Sequence, residues 1–386
     1  MTAALPARTL IVLGALSAFG PLSLDLYLPA LPELAGDLHT SDATAQLTMS
    51  SCMVGLALGQ LLTGPLSDRF GRRRPLLIGV AAYALTSLLC ALAPNVGLLI
   101  GVRLIQGLAG GAGIVIARAI VRDRSDTDTA AHVFSMLMLV TGIAPVIAPV
   151  LGGQLLRVVP WPGLFVALAG IGCLLLAAAA LMIRETLTER STGGLAIVPV
   201  LRDRRFTGFT TVLALGSAVL FLYIAMSPFV LQHDFRLSAQ QFSLVFAGNS
   251  VGLMAGGRLG AALIRRRGAR WTLHAGVTAG ASLSALLLIA VRLDLGLPGI
   301  LPLLLLAVGS VALVLPSATA LALDAHGTRA GTASGLIGLA QFGFGAAAAP
   351  LVTTIGATAT VMAAAMTGAG GIAVLVDRLI ARPGPD

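Results

Sequence analysis

The chain has 386 residues, of which 57% are hydrophobic and only 11% charged, with a mean hydropathy of +0.95; this composition excludes a water-soluble globular protein and leaves a polytopic membrane protein. Its formal net charge of +9 comes from 25 basic residues, all arginine, set beside apolar stretches in a pattern that reads as membrane topology and not as a nucleic-acid surface. Without lysine there is no Walker A phosphate loop, so the chain is not its own ATPase. The isolated Cys52, Cys90 and Cys173 and the scattered histidines hold no metal spacing or catalytic triad order, so no metal, no cofactor and no enzyme chemistry is expected.

Apolar stretches of about twenty residues, each able to cross a hydrocarbon core of roughly 30 Å, predict twelve helices. They run over 9–34, 43–66, 75–93, 97–121, 130–156, 161–184, 206–230, 239–264, 271–291, 298–322, 330–352 and 357–377. Arg8 ahead of Leu10–Phe19 has the outline of a signal peptide, but the eleven later spans favour a retained first helix. An even number places both termini on one side, and the arginine distribution makes that side the cytoplasm. Only Arg157, Arg236 and Arg292 then fall on the far side, and only Arg103 and Arg258 inside spans.

In span 1, Asp25 is the carboxylate well inside an apolar stretch, where a charge costs about 2.5–3.5 kcal/mol. It is suited to binding and releasing a proton or to meeting a cationic substrate; the plainer alternative is an aspartate held by backbone groups that Pro21 and Pro29 release. The loop between spans 2 and 3, Gly64 to Pro75, sets Asp68, Arg69, Arg72, Arg73 and Arg74 between two apolar segments, with Gly71 among them. Two turns inside span 4, Arg103 shares a helical face with Gln106 ahead of a glycine run. An arginine there needs an anion or a carbonyl, unless it snorkels to the interface. Span 5 carries Pro145, Pro149, Gly152 and Gly153, which favour a kink or close helix packing.

The longest polar interruption, Arg184 to Arg205, divides the chain into 1–184, a linker 185–205 and 206–386. Leu26-Tyr27-Leu28-Pro29 lines up with Leu222-Tyr223-Ile224-Ala225, and the Gly64 loop with Ala261 to Arg270, at nearly one shift, which favours a parallel six-helix repeat. Tyr27, Met49, Met53, Tyr223, Met226, Phe229, Phe342 and Phe344 suit an adaptable apolar pocket. Gln60, Asn249, Arg258 and Gln341 suit interhelical hydrogen bonds or ligand contacts equally well; for any one of the apolar residues packing is the better explanation.

These residues resemble a known family. Gly64-Pro65-Leu66-Ser67-Asp68-Arg69-Phe70-Gly71-Arg72-Arg73 matches major facilitator motif A, G-x-L-x-D-R-x-G-R-R; Arg103-x-x-Gln106-Gly107 is similar to motif B. Ala148-Pro149-Val150-Leu151-Gly152-Gly153 resembles motif C of proton-driven antiporters, with Ala148 in place of the usual glycine. The run from Asp25 to Pro32, and Gly331-Thr332-Ala333-Ser334-Gly335, resemble the bicyclomycin/chloramphenicol resistance branch of drug:proton antiporters.

The resemblance implies an all-α fold of twelve transmembrane helices in two six-helix halves that rock around a midplane cavity, in a monomer of the inner membrane surrounded by lipid. It implies export of a small amphipathic drug in exchange for protons. Asp25 would carry the proton or touch the drug, and Arg103 would tune it. Asp68 would cap span 11 near Gly331, and one of Arg69, Arg72 and Arg73 would pair with Asp123, latching the outward-facing state. Ser17 stands where some relatives have a second carboxylate, and Arg265 replaces the motif aspartate in the second loop, so no equivalent latch is expected there. A metabolite importer on the same fold and a non-transporting receptor are the competing readings.

Overall fold

A computed structural model describes residues 6–124, 127–187, 200–324 and 330–381. Among the described residues the helices follow twelve passes, numbered here as spans in chain order. Span 1 is broken into Ala7–Ser17, Phe19–Asp25 and Leu31–Asp37 with a tight turn at Leu28–Ala30; then come Asp42–Phe70, Arg73–Ala91, Val96–Arg124, Thr127–Leu155 and Pro162–Met182. Spans 7 to 12 are Arg204–Phe229, Ala239–Arg267, Ala269–Arg292, Gly296–Leu323, Ala330–Thr353 and Ala359–Ala381. Among the described residues nine helices are long and apolar enough to cross a membrane, and the bent pair Arg8–Ser17 with Phe19–Asp37 makes a tenth. Spans 5 and 8 are not among them: of span 5 only Val140–Leu155 counts, as a shorter apolar helix, and in span 8 Gln240, Gln241, Asn249 and Arg258 dilute the apolar content.

The chain separates into two compact units, Met1–Gly194 and Leu195–Asp386. In the first, span 2 lies along span 4 at backbone contact. A Cβ at Gly107 would run into the Cys52 carbonyl, and one at Gly55 into that of Leu104, so these glycines let the two helices meet. A core of Leu13, Leu16, Phe19, Val80, Tyr83, Ile116 and Ile120 fills the space behind them, with the Phe19 and Tyr83 rings stacked at 4.1 Å. Cys52 and Cys90 are buried and Cys173 is exposed.

The second unit repeats this plan within itself. Span 8 meets span 10 where a Cβ at Gly256 would strike the Gly309 carbonyl, and Phe206, Val212, Leu213, Leu273, Val277, Val314 and Ala318 form its core. Spans 2 and 8 begin at Asp42 and Ala239, 197 positions apart, and end at Phe70 and Arg267, again 197 apart. Each starts at a serine cap, Ser41 accepting from the Thr44 N–H and Ser238 from that of Gln241. Each stops at a glycine that only a residue without a Cβ adopts readily, Gly71 at φ 89°, ψ 165° and Gly268 at φ 83°, ψ 161°.

Candidate functional site

Span 1 is broken where its sequence withholds donors. Pro29 has no N–H for the carbonyl of Asp25, and Pro32 none for that of Leu28, so regular helix stops at Asp25 and resumes at Leu31. Asp25 is 5% exposed. Among the described residues it has neither a hydrogen-bond partner nor an ion pair. One residue on, the Leu26 carbonyl lies against Gly152 of span 5, so closely that a Cβ at Gly152 would collide with it. Span 5 runs as one helix through Pro145 and Pro149, and Pro149, Gly152 and Gly153 are buried.

Arg103 does not reach the interface: it is fully buried. Its Nε donates to the Thr48 carbonyl at 3.2 Å and its Nη1 to Gln106 Oε1 at 2.6 Å. Gln106 Nε2 passes the contact on to Ser87 Oγ at 2.7 Å. The guanidinium carbon lies 4.4 Å from the centre of the Tyr27 ring and 5.5 Å from that of Phe165, positions from which a ring face attracts a cation. The Tyr27 hydroxyl meets Thr48 Oγ1 at 3.2 Å. Nη2 has no hydrogen-bond partner among the described residues, and no ion pair joins Arg103 to Asp25 there. Arg103 is thus a held cation with one nitrogen, Nη2, left without a described hydrogen-bond partner.

Met49 and Met53 are buried beside this cluster on span 2. In the second unit, Asn249 Nδ2 donates to the Tyr223 hydroxyl at 2.9 Å and Phe246 stacks on the Tyr223 ring at 5.5 Å. Tyr223 with Asn249 therefore repeats the pairing of a tyrosine in the first span of its unit with a polar residue on the next helix. Met226 and Phe229 are buried, Gln341 is half-buried, Phe342 packs on Phe221, and Phe344 and Arg258 are exposed.

The loop after span 2 is a closed electrostatic network. Arg72, 3% exposed, donates Nε to Asp123 at 2.8 Å and Nη1 both to Ser67 Oγ at 2.7 Å and to Asp68. Of the three candidate arginines it is Arg72 that meets Asp123. Arg73 instead donates to the carbonyls of Ile183 and Ala180, both at 2.9 Å, at the end of span 6, where the helix dipole favours a cation. Arg69 lies over the neighbouring Phe70 ring. Gly64 leaves open space where a Cβ would stand. The segment 325–329 ahead of span 11, and the side chains of Thr332 and Ser334, lie outside the described residues, as does most of the linker, 188–199.

Glu185, which the sequence reading left unassigned, completes that network. Its Oε1 accepts the backbone N–H groups of Arg72 at 2.8 Å, Thr186 at 3.0 Å and Leu187 at 3.1 Å, and its Oε2 that of Arg73 at 3.2 Å. A Cβ at Gly71 would strike this carboxylate, so the glycine is needed for the clamp as well as for the turn. Burial pushes the Glu185 carboxyl up, and the four N–H donors outweigh it, leaving the group below its ordinary value. The clamp is therefore present at neutral pH and is lost only as pH falls through that lowered value. For Arg72, burial works against the charge and is outweighed by the bonds to Asp123 and Asp68.

The second unit has an ion cluster of its own that the sequence did not announce. Asp377 of span 12, 1% exposed, pairs with Arg270 and, at 2.8 Å, with His274 Nδ1, and Arg270 Nη2 donates to the Asp377 carbonyl at 2.8 Å. An aspartate between Val376 and Arg378, near the end of an apolar run, was the available signal.

Comparison with known proteins agrees with this architecture. The family described as Major Facilitator Superfamily matches residues 13–350. The Bacillus subtilis protein named uncharacterized MFS-type transporter YdgK is 36% identical, covering 92% of this chain and 90% of its own length. The bicyclomycin resistance protein homolog of Haemophilus influenzae is 29% identical over 90% of this chain and 89% of its own. The multidrug resistance protein MdtL of Vibrio parahaemolyticus is 32% identical over 63% of each. Among solved structures, a point mutant of the nucleoside transporter NupG superposes with a TM-score of 0.80 at 15% identity, over 97% of this chain and 99% of that one; a likeness at that identity speaks to fold alone. Broken apolar spans, a duplicated glycine turn and a family match across most of the length lead to one assignment: the chain belongs to the major facilitator superfamily, as a multi-pass membrane transporter and not an enzyme.

Proposed function

We propose that this transporter exports small amphipathic antibiotics, of the chloramphenicol or bicyclomycin kind, in exchange for protons by alternating access. We place it in the inner membrane as a monomer with both termini in the cytoplasm. The observation that carries the reading is Asp25: a buried carboxylate without a described partner, at a helix break that Gly152 of the antiporter motif touches. Among the described residues nothing neutralises the charge, so a proton must do so, taken up and released as the drug moves the other way, which is the alternation an exchanger needs. The names of the relatives, bicyclomycin resistance and multidrug resistance, point to the same cargo.

The experiment that tests it is drug movement in inverted membrane vesicles under an imposed pH gradient. Accumulation of chloramphenicol driven by inward acidity, and collapse of that acidity on adding drug, are expected; drug movement indifferent to the gradient, or inward transport of a metabolite instead, would overturn it.

Arg103 stands close to this chemistry without binding Asp25. Removing it as Arg103→Ala is expected to move the pH optimum of transport, because the fixed positive field is lost, and Arg103→Lys should not restore it, since an ammonium lacks the planar fork shared between Thr48 and Gln106. An optimum unchanged in both variants would make the arginine a packing element.

The Arg72 network is read as the latch. Charge-assisted hydrogen bonds are worth about 1.5–3 kcal/mol each, so Arg72→Gln is expected to slow turnover by about tenfold or more while drug affinity holds. Glu185→Ala should slow it several-fold. Equilibrium binding measured beside vesicle transport checks both; weakened binding at unchanged turnover would contradict the latch.

A further inference from the structure

The loop joining spans 8 and 9 keeps the backbone of the loop joining spans 2 and 3 but not its charges. At the same offset of 197, Arg265 stands for Asp68 and Ala269 for Arg72, around glycines of nearly equal φ and ψ. In the first copy the buried arginine is neutralised by Asp68 and Asp123. In the second, Arg270 is taken by Asp377, while Arg265, Arg266 and Arg267 are exposed and form no ion pair among the described residues. The carboxyl end of span 8 carries only about half an elementary negative charge, too little for three guanidinium groups.

The same end of the molecule presents an aromatic surface. Arg267 lies 4.4 Å above the ring of Trp271, and Trp271 is 41% exposed. It heads a stripe along span 9 that continues through Ala279, Ser282, Leu286 and Ile289, all exposed and at helical spacing. An exposed apolar stripe on a membrane span faces acyl chains, and an indole at its end sits at headgroup level. The arginines begin just beyond, where the phosphates are.

We propose that Arg265, Arg266, Arg267 and Trp271 form a binding site for the headgroup of an anionic phospholipid. The guanidinium groups bind the phosphate oxygens in charge-assisted pairs, and Trp271 holds the chain below. A zwitterionic lipid offers the same phosphate with its own cation attached, so the site discriminates by net charge. The assignment needs only that the loop lies at a membrane surface, and does not depend on the cargo.

The chain has two tryptophans, so Trp161→Phe leaves Trp271 as the sole emitter. This protein is reconstituted in phosphatidylcholine vesicles in which a fixed minor fraction is either dibrominated phosphatidylglycerol or dibrominated phosphatidylcholine. Enrichment of the anionic lipid at the loop is expected to make the glycerol lipid quench Trp271 about twofold more strongly. The triple substitution Arg265→Gln, Arg266→Gln, Arg267→Gln should remove that excess. Equal quenching by the two lipids would overturn the proposal, as would an excess that survives the triple substitution. The first comparison uses the unaltered loop, so it stands even if the triple variant does not fold.

Discussion

Asp25→Asn is expected to reduce pH-driven drug efflux to the level of empty vesicles while the protein remains folded and its melting temperature stays the same or rises. Asparagine has the shape of aspartate and cannot titrate, so the substitution removes the proton cycle alone. Because Asp25 has no described partner, no hydrogen bond is lost with the charge. What is lost is a buried ionisable group that costs about 2.5–3.5 kcal/mol in a membrane interior. Thermal unfolding in detergent and efflux under an imposed gradient, measured on one preparation, check the two halves of this expectation. Proton-coupled transport at the normal rate would remove Asp25 from the mechanism, and unfolding would make it structural.

Gly152→Val is expected to abolish transport and to lower stability by about 1–3 kcal/mol, the usual cost of overpacking. The obstacle is the Leu26 carbonyl, a backbone atom that cannot rotate away as a flexible side chain would. Span 1 or span 5 must move, and with it the break that holds Asp25. Gly152→Ala meets the same obstacle with its Cβ and should already slow transport. Gly170→Ala in span 6, where nothing lies within 4 Å of the new atom, supplies the control and should behave as the parent protein. Efflux and thermal unfolding of the three variants settle the order; an active, stable Gly152→Ala protein would mean that the two spans meet more loosely than described.

The helices were legible because apolar length is a local property: every sequence-predicted span has its helix, with ends displaced by a few residues, although spans 5 and 8 fall short of a full apolar span among the described residues. Pro29 was the visible sign of loosened backbone in span 1, which was nonetheless expected as one helix over 9–34, and the repeat was foreshadowed by two short matches. Long-range partners were not legible. Asp25 and Arg103 invite pairing as opposite charges in apolar spans, yet Arg103 is drawn to the Tyr27 and Phe165 rings, the Thr48 carbonyl and Gln106. Glu185 opens a polar linker, where an acid is unremarked, and its worth comes from four N–H groups that converge only after the chain folds. Asp377 and Arg270 are 107 residues apart, and no periodicity links them. The second loop has an ion pair of its own, Arg270 with Asp377 of span 12, in a place where the loop sequence alone offers no acid.

The two glycine turns carry a further consequence for how such a chain diverges after duplication. Chain reversal at Gly71 and Gly268 is a requirement of folding, and either copy that lost it would misplace every helix that follows. The charges around the turn answer to a different demand. The second turn keeps the backbone of the first with arginine where the first has aspartate, so the reversal itself does not depend on that carboxylate. Backbone geometry is what the two halves share at this turn, and side-chain chemistry is where they part.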